Sequence, residues 1–352
     1  MPQVTHIENL LLCLQYQQSA RTLRDATIFY ARNVVGASYA LGDSITNAAL
    51  ASNQSWPFVT IDNFEIAAAH ARLDGETELI IMSPLIPGSI EGLWENYAQG
   101  SQGWLEESQE LGYQTSAWSE DPINSMGLNL TGKIPLITER IYRLGENFEP
   151  VTNYSTPLYA PAWQISPAPF KPSLVNYDLL SNPAFQQLFN VLVATQGTGT
   201  GLSAFFDPSF TNVLYEGIYT DEAHMATHNM VQGGEEGLLF QPNEQPHTVI
   251  VTPIRSNFGP DGGFVGLLSA VISSDKFLSG LLPEGVNGVY VVITNTCNQA
   301  FTYIVNGPIA VYVGPGDLHQ TEYDYLEETI EMSNEVADTC GMCRMCLIVG
   351  SL

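Results

Sequence analysis

His224 and His228 stand four residues apart, with Asp221 and Glu222 just ahead of them. On a helix that spacing puts two imidazoles on one face, where they could ligate a metal or act as bases. Gly233-Gly234 and polar residues follow, so the segment reads as a loop and no metal is assigned. Cys340, Cys343 and Cys346 repeat as C-x2-C-x2-C. A closed zinc site takes four ligands, and neither a histidine nor a fourth cysteine lies nearby. The Gly197–Gly201 stretch, GTGTG, has the look of a phosphate loop. It follows a helix rather than a strand and lacks the Lys-Ser/Thr ending, so it reads as a helix stop. Gly259–Gly263, GPDGG, reads as a turn, and no Gly-x-Ser-x-Gly elbow occurs. With 37 acidic residues, some close carboxylates must arise by chance. No catalytic constellation and no cofactor is expected. A hydrolase using His224 or His228 stays only as a rival reading.

Binding residues are easier to nominate. Trp94, Tyr97, Trp104, Trp118 and Trp163 fall in the first half of the chain. A small-molecule pocket needs aromatic walls and a few polar groups. Trp104, Trp163, Gln164, Ser166, Tyr97 and Arg140 are the candidates for such a lining. Arg140 would suit an anionic ligand, since bases are rare here. The competing role for each aromatic is core packing, and for Arg140 a surface ion pair.

Eleven Lys+Arg against 37 Asp+Glu give a formal net charge of −26. Such a surface repels nucleic acid and anionic membrane, whose binding needs bases to neutralise phosphate. Charged residues make up only 14% of the 352, and 45% are hydrophobic, so the chain is folded rather than an acidic disordered one. The sequons at Asn53, Asn129 and Asn153 point to an extracellular or lumenal face. The Leu10–Leu14 run is too short for a signal peptide, and no run of 18 apolar residues spans a membrane.

These residues need elements to hold them. Apolar residues recur every three to four positions over 7–50, which predicts a long helix. It can pair with a second copy as a homodimer, or pack within one chain. Asp62 and Glu65 suggest a capping box for a second helix. Short apolar runs predict strands at 78–86, 134–144 and 160–166, with a helix over 90–111 between the first two. Asn182 caps and Pro183 opens a helix whose Phe185, Leu188, Phe189 and Leu192 form its buried stripe. Strands follow at 202–206, 248–254, 264–272, 289–294, 301–305 and 309–313, with a helix at 275–282 and a turn at Asn306-Gly307. Residues 321–338 carry many acids and no base, and read as an acidic helix with a solvated face. A cysteine-rich tail closes the chain.

Several segments taken together resemble a known family: NQSWPFVTIDNFEIAAAHAR (53–72), WENYAQGSQGWLEES (94–108), YAPAWQISPAP (159–169), VNYDLLSNPAF (175–185), the long run 263–307 and GDLH (316–319). They resemble the extracellular sensor region of receptor-type adenylate/guanylate cyclases of microalgae (diatom type), over roughly residues 20–320. The layout is also similar to CHASE and double-Cache sensor domains. The resemblance implies an α+β fold: a long N-terminal helix followed by two PAS-like lobes with antiparallel sheets. The expected divisions are a stalk helix at 1–55, a membrane-distal lobe with the ligand pocket at 56–170, a membrane-proximal lobe at 171–320, and the acidic helix and tail at 321–352. It places Asn176, Tyr177 and Asp178 at the junction between lobes, with Asp178 accepting hydrogen bonds from local backbone amides. The implied role is sensing an unidentified small ligand on the extracellular side for a cyclase whose catalytic part lies outside this chain. A free-standing secreted ligand-binding protein is the alternative.

Overall fold

The computed structural model describes residues 2–116, 139–146, 149–167, 174–195, 197, 200–205, 246–259, 261–294, 299–319, 328–331 and 344–349. Helix α1 (Pro2–Ala51) is 50 residues long. Leu23, Thr27, Ala31, Val34, Ser38, Leu41, Ile45 and Ala49 are all buried, and their three-to-four spacing draws one continuous stripe along it. The expected long helix is therefore present, and an amphipathic stripe of this kind needs a partner layer.

Helix α2 (Phe64–Gly75) packs beside α1. Its cap differs from the expected one. Asn63, at φ 56°, takes the N-cap position without a side-chain bond, Asp62 is exposed, and the Asn63 amide donates to Glu107 Oε2 at 3.0 Å. Glu65 forms no capping box because it is drawn into the interior. Strands β1 (Leu79–Pro84) and β2 (Ile86–Pro87) come next. The single helix expected over 90–111 is two, α3 (Glu91–Gly100) and α4 (Gly103–Ser116), broken between Gly100 and Gly103. Short strands β3 (Arg143–Leu144), β4 (Pro150–Val151) and β5 (Leu158–Tyr159) precede β6 (Gln164–Ser166). Helix α5 (Pro183–Ala194) has Asn182 as its cap, whose side chain accepts the Ala184 amide, and Pro183 in its first turn.

Strands β7 (Gly201–Phe205), β8 (His247–Arg255) and β9 (Phe264–Ser273) complete a five-stranded antiparallel sheet in the order β6-β1-β9-β8-β7. Counted along the chain, its strands run 2-1-5-4-3. The division expected at 170/171 does not separate sheets. Strand β1 from the first expected lobe lies directly against β9 from the second, with Ile81 opposite Ser269. Pairing across such a sequence distance leaves no local trace, and β1 is buried throughout and β9 from Gly266 onward, so neither shows the alternation that would reveal its neighbour.

Helix α6 (Ser274–Leu278) leads into a second antiparallel sheet, built from β10 (Val289–Thr294), β11 (Ala300–Asn306), β12 (Ile309–Pro315), β13 (Glu328–Glu331) and β14 (Arg344–Val349). Its order is β12-β11-β10-β14-β13. Gly307, at φ 58°, makes the tight turn between β11 and β12. Two sequence expectations change here. Part of the supposed acidic helix is strand β13, and the cysteine-rich tail supplies β14, which places Cys346 opposite Val292. The run Arg344–Val349 is apolar enough to fill a central sheet position, and its pairing holds the acidic segment extended.

Helix α1 touches α2, β8 and β9 of the first sheet region and also α6, β13 and β14. It is a strut shared by both sheets. Among the described residues, no helix is long and apolar enough to cross a membrane.

Candidate functional site

Alternation along the strands sorts the first sheet into two faces. Opposed pairs put Ile80, Met82, Gln164, Ser166, Leu268 and Ala270 on one face. The other face carries Ile81, Ser83, Ile165, Leu267, Ser269 and Val271. Helix α2 covers the first of these at its β6 edge, because both polar side chains of β6 reach toward it: Ser166 Oγ accepts Arg72 Nε at 2.9 Å, and Gln164 serves the chain just before α2. The Gln164 amide accepts from the Ile61 amide at 2.7 Å and donates to the Ile61 carbonyl at 2.9 Å. Both ends of the amide are committed, so Gln164 fastens residues 59–63 to the sheet edge.

The aromatic candidates assemble, but into a solid cluster. Trp163 lies edge-on to Trp94, with centroids 5.2 Å apart, and to Trp104 at 5.7 Å. Tyr97 adds to the group 6.1 Å from Trp163, and Phe58 packs on Tyr97. Trp94, Trp104 and Trp163 are all buried. Trp163 Nε1 donates to the Val59 carbonyl at 3.1 Å, Trp94 Nε1 donates to Asn176 Oδ1 at 3.1 Å, and Tyr97 Oη pairs with Thr60 Oγ1 at 2.6 Å. These ring contacts, with the polar tips of Trp94, Trp163 and Tyr97 bonded to the protein, are core packing. Arg140 is exposed. Trp118, Asn129, His224, His228, Cys340 and Cys343 lie outside the described residues. Asn53 and Asn153 are exposed. No group of three or more metal-ligating side chains occurs among the described residues.

The Asn176-Tyr177-Asp178 turn is held more tightly than its sequence suggests. It threads between Tyr142 and the 160–162 stretch, exchanging backbone bonds with both. Asn176 adopts φ 65°, a conformation asparagine tolerates better than most residues. Asp178 Oδ1 accepts the Ala160 amide at 2.9 Å and the Leu180 amide at 3.1 Å, while Oδ2 accepts Tyr154 Oη at 3.0 Å. Burial raises the carboxyl above its ordinary range, and these three donors pull it back. The expected bonds to local amides are thus present, and Tyr154 is a partner the sequence did not indicate. Because β6 and α5 both flank the first sheet, the turn joins two parts of one sheet region.

A second buried carboxylate escaped sequence reasoning. Glu65 is completely buried on α2. Its Oε1 accepts Arg72 Nη2 at 3.3 Å, and Oε2 has no hydrogen-bond partner. Burial pushes the Glu65 carboxyl up to about 7, with the Arg72 guanidinium offsetting only part of that. The available signal was Arg72 itself. It is one of eleven bases, placed seven residues beyond Glu65 on an alanine-rich helix face, the spacing of two turns.

On the opposite sheet face, Ser83 and Ser269 are diagonal neighbours on β1 and β9. Both hydroxyls are fully buried without partners among Ile81, Val251, Leu267 and Val271. No protein-family model matches the chain, and no curated protein matches it.

Proposed function

We propose that this chain is a small-ligand-sensing domain of the CHASE/Cache kind, with PAS-like lobes, serving a receptor-type nucleotide cyclase on the extracellular or lumenal side. The observation that carries the reading is the first sheet. It is a five-stranded antiparallel sheet in the order 2-1-5-4-3, a 50-residue helix lies against it and continues to a second sheet, and this arrangement supports the reading. The segment resemblances over residues 20–320 add to it. In this reading one sheet, drawing on 79–273, is the ligand lobe, and the second sheet with α1 passes the signal on.

The lining differs from the one the sequence nominated. Trp94, Trp163 and Gln164 spend their polar groups on the protein itself, and Trp104 is packed edge-on against Trp163, so they shape the lobe rather than touch a ligand. Ser83 and Ser269 have hydrogen bonds left to give, on an apolar buried surface, which suits a ligand with a nonpolar body and one polar end. Ligand binding would favour one of two arrangements of the sheets about α1, and only a difference in affinity between them can shift the balance.

The test is the melting temperature of the purified chain against separate sets of amino acids, short carboxylates, amines and sterol-like or aromatic compounds. One class is expected to raise it progressively with concentration, reflecting a stabilisation of roughly 2.7 kcal/mol at a hundred times Kd. Ser269→Val should abolish that rise while leaving the unliganded melt in place. No response from any class removes the sensing reading. Sequencing the complete transcript decides the cyclase link: a membrane span and a cyclase domain in the same frame are expected, and an open reading frame without them overturns it.

A further inference from the structure

Ser269 stands opposite Ile81 and Ser83 opposite Leu267, so the two serines are diagonal neighbours on one face of the first sheet. Diagonal positions on paired strands put Cβ atoms roughly 7 Å apart, a gap that one oxygen atom bonded to both hydroxyls closes. Both side chains are fully buried, and neither hydroxyl has a hydrogen-bond partner. Buried hydroxyls are nearly always paired, so two orphans side by side mark a place where something else supplies the partner.

Helix α5 and the chain just past it cover this face. Phe189 stacks on Phe264 with centroids 5.8 Å apart. A Cβ at Gly197 would lie 3.6 Å from the Cβ of Pro253, the residue opposite Leu267. What the surroundings lack is charge. Strands β1, β6, β7 and β9 contain no acid, base or histidine. Neither does α5, nor the turn at Leu179–Ser181 that leads into it. Strand β8 has His247 at one end and Arg255 at the other. Each is four residues from Val251, the partner of Ser269, or about 13 Å along the strand. Arg255 donates to the Gly197 carbonyl at 2.8 Å and to the Gly262 carbonyl at 3.1 Å. Asp275 lies beyond the His247 end and accepts from Ser273 Oγ. Asp178, ahead of the turn, is held by its three donors.

We propose that the ligand of this lobe is electrically neutral: a mainly apolar molecule whose polar end is one uncharged group, an alcohol, ketone or amide, held between Ser83 and Ser269. The proposal rests on the sensing reading and narrows it. Each serine hydroxyl donates once and accepts as well, so the pair can donate twice to a carbonyl oxygen, or donate to and accept from an alcohol. A carboxylate or an ammonium would be buried there with no free counter-charge among the described residues. That costs more than two hydroxyl bonds return. Amino acids, short carboxylates and amines are thereby set aside as ligands.

The test is isothermal titration of the full chain with compounds that share a skeleton and differ in the polar end. One set is benzyl alcohol, benzamide, benzoate and benzylammonium, and the others are its cyclohexyl and straight six-carbon counterparts. Within at least one skeleton the alcohol or amide should bind about a hundredfold more tightly than the carboxylate and the ammonium. The apparent affinity of the carboxylate should rise about tenfold for each unit that pH is lowered from 7.5 to 5.5, because only the acid form enters, while that of the amide stays flat. Ser83→Ala should keep the unliganded melt and weaken neutral binding about tenfold, the worth of one hydrogen bond. A carboxylate or ammonium that binds as tightly as its neutral counterpart overturns the neutral-ligand inference and leaves the sensing reading standing. So does neutral binding that Ser83→Ala leaves unchanged. Absence of binding by every member, neutral and charged, removes the sensing reading, and this inference falls with it.

Discussion

Asp178 and Glu65 are both buried carboxylates in a chain carrying a −26 net charge, and they are treated in opposite ways. Asp178 is surrounded by two backbone amides and a tyrosine hydroxyl, none of them charged, yet every one points at it. Glu65 has a full positive charge beside it at the end of a long bond, and one of its oxygens, Oε2, has no hydrogen bond. The difference teaches that donors aimed at a carboxylate hold it better than a guanidinium whose best nitrogen is spent elsewhere. It also separates roles. A saturated carboxylate fixes the chain, and an unsaturated one is free to change state.

The largest effect expected is from Asp178→Ala. Two amides and a hydroxyl lose their acceptor in the interior, and a loss of about 3–5 kcal/mol is anticipated in urea unfolding. A loss under about 1 kcal/mol would mean water replaces the carboxylate and the contrast is weaker than drawn. Next comes Gln164→Leu, which orphans the Ile61 amide and carbonyl together and should cost about 2–3 kcal/mol, read in the same way. Glu65→Gln runs the other way. It should stabilise the fold by about 2 kcal/mol at pH 8 and have almost no effect at pH 4, where the natural carboxyl is protonated in both folded and unfolded chains. Equal effects at both pH values would show that packing rather than ionisation is being measured. The smallest is Tyr154→Phe, which takes one of three donors from Asp178 and should cost about 1 kcal/mol. Its signature is a further rise of the Asp178 carboxyl, visible by NMR, since the hydroxyl is one of the groups holding it down.

Much of this contrast was half-legible in the sequence. Asn182 and Pro183 announced α5, and Asp178 announced an amide-binding turn, because both act on chain within a few residues. Tyr154 did not show itself, being 24 residues away. Glu65 was misread as a capping residue because local rules reward an acid in the first helical turn, and nothing local says that the helix rolls that face inward. The same limit governs the sheets. Most strands of the second half were visible as short apolar runs, while the pairing of β1 with β9 and of β10 with β14 depends on which buried edges meet. The acidic stretch around Glu328 looked solvated and helical by composition, and it is its pairing with β14 that makes it a strand. Trp94, Trp104 and Trp163 were nominated as pocket walls and are packed in the interior, since a pocket wall and a core share one composition.

Helix α1 has a mechanical consequence. Fifty residues at 1.5 Å each make a rod ~75 Å long, held by α2 and β8 along part of its length and by the second sheet along another. A rod of that length is a lever arm. A pivot of about 5° at one end sweeps the other through ~6 Å, more than the rise of one helical turn. Rearrangements too small to alter any single hydrogen bond at the first sheet therefore become displacements at the far end large enough to shift how whatever is attached there is seated.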